Sequence, residues 1–132
     1  MFAAIFFTLL IPKRDGVVFS FVPNALLELA ETVRYVREKE KEWNVDTEKV
    51  IVCGFSAGGH LAGSLGVLWN NEIIEKYLDI KNEEVKPNAM ILCYPVISSG
   101  EFAHKGSFDS LLGEKEAEIS RENLSLEKLV SI

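Results

Sequence analysis

The chain has 132 residues, of which 48% are hydrophobic and 26% are charged, and this suits one small globular domain. The net charge of −6 argues against a nucleic-acid partner. The apolar opening stretch MFAAIFFTLLIP is too short to span a bilayer, so we expect no membrane partner. Cys53 and Cys93 lie in separate apolar runs without a CxxC motif or a Cys/His cluster. We therefore predict small buried thiols, no metal or other cofactor, and a reducing cytoplasmic location.

Hydrophobic patterning predicts strands that alternate with helices along the chain. The predicted strands are residues 5–11, 50–53 and 89–94. The predicted helices are residues 25–43, 61–68 and 73–80, with short helical pieces at 108–112 and 117–124. Asn24, directly after Pro23, is predicted to be the N-cap of the first helix, and residues 54–59 to form a turn. This order predicts an α/β fold with a mainly parallel sheet.

The segment GFSAGGH, residues 54–60, joins a predicted strand to a predicted helix and contains GxSxG. So tight a turn strains the backbone of Ser56 and projects its Oγ above the edge of the sheet. The helix that follows directs its first N–H groups at the site, and Ala57 N–H is the natural oxyanion donor. We predict that Ser56 is a nucleophile for acyl transfer rather than part of a merely structural turn. The structural residues of this elbow are predicted to be Gly54, Gly58 and Gly59.

Three segments resemble α/β-hydrolase serine esterases of the acetyl-esterase and lipase-like group. VDTEKVIVCGFSAGGHLAGSLG resembles the nucleophile elbow, FVPNALLELAETVRYVREKEKEW the preceding helix, and MILCYPVISSGEFAHKGSFDSLLG the next strand and the start of the lid. The GGH and ILCYPV details are similar to the branch that acts on acetylated sugars or xylan fragments. The resemblance implies a three-layer α/β/α fold, a Ser-His-Asp triad with Ser56 as nucleophile, no metal, and a small ester substrate. It divides a single partial domain into a core at 5–97 and a lid-like region at 98–132.

The sequence pattern after Ser56 does not provide the strands that would carry the triad acid and histidine. In the resembling enzymes the acid and the histidine follow the serine on later strands, whereas one predicted strand follows Ser56 here. We therefore expect a central portion of a hydrolase, without its triad acid and histidine. His60, one helical turn after Ser56, is interpreted as a packing or hydrogen-bonding residue. A catalytic role for His104 stays open, because loops above such strands can reach the site. Asp79 closes a helix at the wrong end of the topology, and Asp109 is interpreted as an N-cap.

Two aromatic residues near the elbow are predicted to bind substrate. Tyr94 ends a strand beside the elbow, where parallel strands face a ligand crevice, so it either lines the acyl or sugar pocket or is a partly buried core residue. Phe55 directly precedes the nucleophile. We predict hydrolysis of small carboxylic esters, in particular acetyl esters and acetylated sugars, through an acyl-enzyme on Ser56. The alternatives are an inactive truncated remnant and an amidase or peptidase of the same fold.

The isolated chain is expected to turn over little substrate, because loss of a triad base removes most of the rate. A parallel sheet of about three strands leaves unpaired edges, so self-association is also expected.

Overall fold

The structure is a computed structural model, and it describes residues 3–7, 21–112 and 121–130. Three parallel strands form one sheet in the order β1–β2–β3. The strands are β1 Ala3–Phe7, β2 Val50–Phe55 and β3 Ala89–Cys93. The helices are α1 Phe21–Glu38, α2 Glu40–Trp43, α3 Ala57–Leu68, α4 Glu72–Leu78 and α5 Lys105–Leu112. The predicted α/β alternation and parallel sheet are confirmed, and the second helical layer of the three-layer class stays a prediction.

Helices α1, α3 and α4 join the sheet in one hydrophobic core. Val50 and Val52 of the central strand are fully buried in it. The buried apolar residues that these helices contribute are Leu26, Leu29, Ala30, Val33, Val36, Leu61, Ala62, Leu65 and Ile74. Burial of each large aliphatic side chain contributes roughly 1.5–3 kcal/mol, so this cluster fixes β2 beneath the start of α3.

The boundaries of α1 differ from the prediction. The helix begins at Phe21, so Asn24 lies in its first turn and is not its N-cap. Pro23 is tolerated there because the first four N–H groups of a helix have no intrahelical acceptor. At the other end α1 stops at Glu38, and the short α2 completes the predicted length before Asn44 turns left-handed with φ 52°.

The elbow and the end of β3 also differ from the prediction. The turn is a single residue, Ser56, and residues 57–59 belong to α3. β3 ends at Cys93 because Tyr94, with φ 37°, leaves the extended region. The predicted strand positions 8–11 and the helical positions 117–120 lie outside the described residues. The helical piece at 108–112 is confirmed as part of α5.

Arg37, near the end of α1, fixes the amino ends of the two later strands. Its guanidinium donates to Glu84 O at 2.6 Å, to Lys86 O at 2.7 Å and to Asn88 Oδ1 at 3.1 Å. Asn88 Oδ1 also accepts from Val50 N–H at 2.9 Å. These bonds hold the loop before β3 against the start of β2, and thereby set the register that brings the carboxyl ends together.

The segment at 121–130 packs against the chain that follows β3. Phe108 and Leu124 form a second buried cluster. Ser125 is fully buried, and its Oγ accepts from Ser99 N–H at 2.7 Å and bonds to Ser99 Oγ at 2.9 Å. This segment therefore supports the loop that leaves the carboxyl end of β3.

Both cysteines are free. Cys53 is buried, and burial raises the pKa of its thiol, whereas Cys93 is only half-buried and so differs from the prediction. Among the described residues, no helix is long and apolar enough to cross a bilayer. On the β3 side of the sheet Met90 and Ile91 are exposed, and self-association through such an edge stays a prediction.

Candidate active site

Ser56 alone makes the turn between β2 and α3. Its backbone has φ 51° and ψ −119°, a combination that residues with a Cβ rarely adopt. The residue is exposed at the carboxyl edge of the sheet, between the last residue of β2 and the first of α3. Strain of this kind persists only where the surroundings enforce it, and it concentrates at functional sites.

The peptide groups of Ser56 are bonded to the chain on both sides of the elbow. Its N–H donates to Cys93 O at 3.1 Å. Its carbonyl accepts from His60 N–H at 3.1 Å and from Val96 N–H at 3.3 Å. The end of β3 and the first turn of α3 therefore hold the strained conformation together.

Two glycines permit the close approach that the elbow requires. A Cβ on Gly54 would lie 2.1 Å from Gly58 O, closer than any real contact. A Cβ on Gly59 would lie 2.8 Å from Pro95 Cβ. The first turn of α3 can therefore pack on the ends of β2 and β3 only with glycine at both positions, and the predicted need for glycine at Gly58 itself stays a prediction.

Ala57 is the first residue of α3. Because Ala57 is at this position, its N–H has no intrahelical acceptor. The group lies at the positive end of a twelve-residue helix. An N–H group directly after the nucleophile suits the stabilisation of negative charge on a carbonyl oxygen. The oxyanion role predicted for Ala57 is compatible with this placement.

His60 is a structural histidine, as its spacing from Ser56 predicted. Its side chain is 5% exposed, its Nδ1 lies 2.7 Å from Val96 O, and its ring packs edge-on against Phe108. Burial lowers the pKa of His60, so the ring is neutral at pH 7. Because a carbonyl only accepts, Nδ1 carries the proton and donates. His60 thus ties α3 to the segment after β3.

A cleft of ≈ 370 Å³ opens beside Ser56 and is otherwise lined by the chain after β3. Tyr94 and His104 both line it, so the structure brings these two sequence candidates to the serine. His104 Nδ1 lies 2.8 Å from Ser107 Oγ. Phe55 is not part of the lining, but its ring contacts that of Tyr94 at 5.9 Å between centroids.

Phe102 also lines the cleft, and sequence reasoning missed it. Its side chain is 96% exposed. The available signal was a lone aromatic residue in a Gly/Ser-rich loop, SSGEFAHKGS, where no core packing would call for one.

Neither candidate acid lines the cleft beside Ser56. Asp79 is the left-handed C-cap of α4, as predicted. Asp109 lies within α5 and pairs with Arg121 at 2.6 Å, so the N-cap interpretation was wrong. Neither carboxylate bonds to His60 or His104 in the described part of the chain, and the same residues contain no group of three or more potential metal ligands.

Comparison with known proteins identifies the family of this chain. The family model described as BD-FAE matches residues 18–128. Endo-1,4-beta-xylanase B of Butyrivibrio fibrisolvens is 36% identical over 107 residues, which are 80% of this chain and 16% of that protein. Acetylxylan esterase of Xylanibacter ruminicola is 36% identical over 89 residues, 67% of this chain and 16% of that protein. The chain thus spans about a sixth of the length of these curated relatives.

Solved structures show the same fold. The acetyl ester-xyloside bifunctional hydrolase from Caldicellulosiruptor lactoaceticus superposes with a TM-score of 0.67 and 40% identity, covering 83% of this chain and 40% of that one. A sugar hydrolase from Lactococcus lactis gives a TM-score of 0.59 and 26% identity over 87% of this chain and 39% of that one. With a family model that spans most of its length, the chain belongs to the BD-FAE family and has part of an α/β-hydrolase fold.

Proposed function

We propose that this protein is a serine ester hydrolase in which Ser56 is the nucleophile. The observation that carries the proposal is the strained Ser56 elbow, held by hydrogen bonds to Cys93, Val96 and His60 at the mouth of a cleft. The acetylxylan esterase and the acetyl ester-xyloside hydrolase among the similar proteins support the same reaction class.

The chemistry is acyl transfer in two steps. Ser56 Oγ attacks the ester carbonyl, its proton passes to a base, and the negative charge on the carbonyl oxygen is stabilised by Ala57 N–H. The carbon–oxygen bond to the alcohol breaks, the alcohol leaves with a proton, and an acyl-enzyme remains. Water then attacks the acyl group, which leaves as a carboxylic acid and regenerates the hydroxyl. We propose that the base and its acid partner lie on strands later than β3, as the resemblance implies.

Acetyl esters of sugars are the proposed substrates. The cleft beside Ser56 is lined by the loop that follows β3. It combines aromatic rings with the hydroxyl of Ser98 and the imidazole of His104. A small acyl group at Ser56 leaves the remainder of the cleft for the alcohol portion. Acetylated xylo-oligosaccharides are the proposed example, because an acetylxylan esterase and an acetyl ester-xyloside hydrolase are among the similar proteins.

A second candidate, a non-catalytic remnant, is favoured by one observation. In the described residues the His60 ring is hydrogen-bonded to Val96 O, and neither Asp79 nor Asp109 bonds to a histidine. Without a histidine–carboxylate pair the elbow keeps its shape, but most of the rate of ester hydrolysis is lost.

Trapping of the acyl-enzyme separates the candidates. The chain is mixed with 4-nitrophenyl acetate, quenched in acid and mapped by peptide mass. The proposal predicts an acetyl group on Ser56, with slow turnover, and none on a Ser56→Ala variant. An intact fold with no adduct on Ser56 would favour the remnant, and faster release from an acetyl anilide than from the ester would favour an amidase.

A further inference from the structure

Three exposed aromatic residues lie in the region of the nucleophile. Tyr94 is 75% exposed, Phe102 is 96% exposed and Phe55 is 46% exposed. Tyr94 and Phe102 line the cleft together with Ser56, and Phe55 packs against the ring of Tyr94 at 5.9 Å with an interplanar angle of 57°. Exposed aromatic rings that cluster at a cleft, rather than singly on the surface, mark a binding site.

Tyr94 is held in this position against its backbone preference. Its φ of 37° is unfavourable for a bulky side chain. The preceding carbonyl, Cys93 O, accepts from Ser56 N–H, and two residues later Val96 N–H donates to Ser56 O. The same residue that carries the proposed nucleophile therefore fixes the chain on both sides of Tyr94. A strained tyrosine that contributes little to the core of this chain and lies beside the nucleophile is a candidate for a functional role.

We propose that Tyr94 is a stacking platform for the sugar ring that carries the ester, with Phe55 supporting its ring and Phe102 lining the same cleft. This inference rests on the proposed esterase function, because it concerns the alcohol portion of the substrate at Ser56. A pyranose presents a flat face of C–H bonds, and such a face packs on the electron-rich face of an aromatic ring. Ser98 and His104 line the same cleft and offer hydrogen bonds to the hydroxyl groups at the edge of the sugar.

The test measures binding without chemistry. The full chain with Ser56→Ala is titrated calorimetrically with an acetylated xylotriose, and the dissociation constant is compared with that of three further variants. Tyr94→Ala removes the platform, Tyr94→Phe keeps the ring at the same backbone strain, and Tyr77→Ala removes a 63% exposed tyrosine of α4 that does not line the cleft. Circular dichroism verifies that each variant folds.

We expect Tyr94→Ala to weaken binding roughly tenfold, and Tyr94→Phe and Tyr77→Ala to change it by less than about twofold. Equal binding by Tyr94→Ala, an equal loss in Tyr77→Ala, or no binding to the parent would each overturn the proposal. Failure of the esterase function is a separate result, because it is detected by the absence of an acetyl adduct on Ser56 in the native chain and leaves the sugar titration interpretable.

Discussion

Helix ends and strand ends of this molecule reach positive φ in different ways. Asn44 and Asp79 cap α2 and α4 with φ, ψ of 52°, 46° and 51°, 47°, where a left-handed residue ends the helix. Ser56 and Tyr94 follow β2 and β3, and neither is a residue type that favours this conformation. The helix caps follow from local chemistry, whereas the strand ends are held by hydrogen bonds between two distant segments. Among the described residues, the positive-φ positions that residue type does not explain therefore both lie at the proposed site.

The largest expected effect on stability comes from Gly54→Ala, which places a side chain where the end of β2 packs against α3. The added Cβ would lie 2.1 Å from Gly58 O, and a backbone atom cannot yield without moving α3. We expect a loss of roughly 4 kcal/mol or more in the free energy of unfolding, measured by urea denaturation. The matched control is Gly106→Ala in α5, where the nearest atom is 3.8 Å away. Alanine there should stabilise by up to about 1 kcal/mol, and a similar cost at both glycines would contradict the account.

His60→Ala should have the next largest effect, because His60 joins α3 to the segment after β3. The change leaves Val96 O without its partner and opens space beside Phe108. We expect a loss of roughly 2–4 kcal/mol in the free energy of unfolding. The exposed His104, mutated to alanine, should cost less than about 1 kcal/mol. Equal losses in the two variants would show that His60 does not hold the strand ends together.

The burial of His60 also predicts how stability depends on pH. Burial lowers its pKa in the folded state below the ordinary value of 6.5, so the unfolded chain binds more protons. The contribution is fully present above pH 6.5 and is lost as the pH falls below it, with a slope of up to about 1.4 kcal/mol per pH unit. Urea midpoints between pH 5 and 8 should show this fall. A His60→Gln variant should lose it, and an unchanged profile in that variant would assign the effect to other groups.

Substitution by glycine at left-handed positions should have the smallest effect on stability. The same substitution at Tyr94 and at Asp79 compares a strand end with a helix end. Tyr94→Gly should raise the free energy of unfolding by about 1 kcal/mol, since it relieves strain and removes little buried surface. Asp79→Gly should change it by less than about 0.5 kcal/mol, because aspartate tolerates a helix cap. Thermal unfolding of both variants is the measurement, and a larger gain at Asp79 would reverse the comparison.

The sequence predicted the order of strands and helices, because burial imposes periodic patterns that are local. It also predicted a turn that contains Ser56 and the need for glycine at position 54, but it placed the turn over residues 54–59, whereas Ser56 alone makes it. The start of α1 was misjudged because Pro23 is as compatible with the first turn of a helix as with the residue before a cap. The cleft was only partly predictable. Phe102 lines the cleft because of loop geometry, and Val96 reaches Ser56 through a backbone hydrogen bond, and neither feature leaves a periodic trace in the sequence.

Labelling by a fluorophosphonate tests whether Ser56 is an activated nucleophile, because the probe reacts once with a nucleophilic serine and needs no turnover. The chain is labelled when folded and in urea, and the modified residue is identified by peptide mapping. A Ser56→Ala variant and a Ser125→Ala variant, which removes a buried structural hydroxyl, are the controls. The account predicts labelling of Ser56 in the folded chain, retained in Ser125→Ala and lost in urea and in Ser56→Ala. A folded chain whose Ser56 reacts no faster than it does in urea would contradict it.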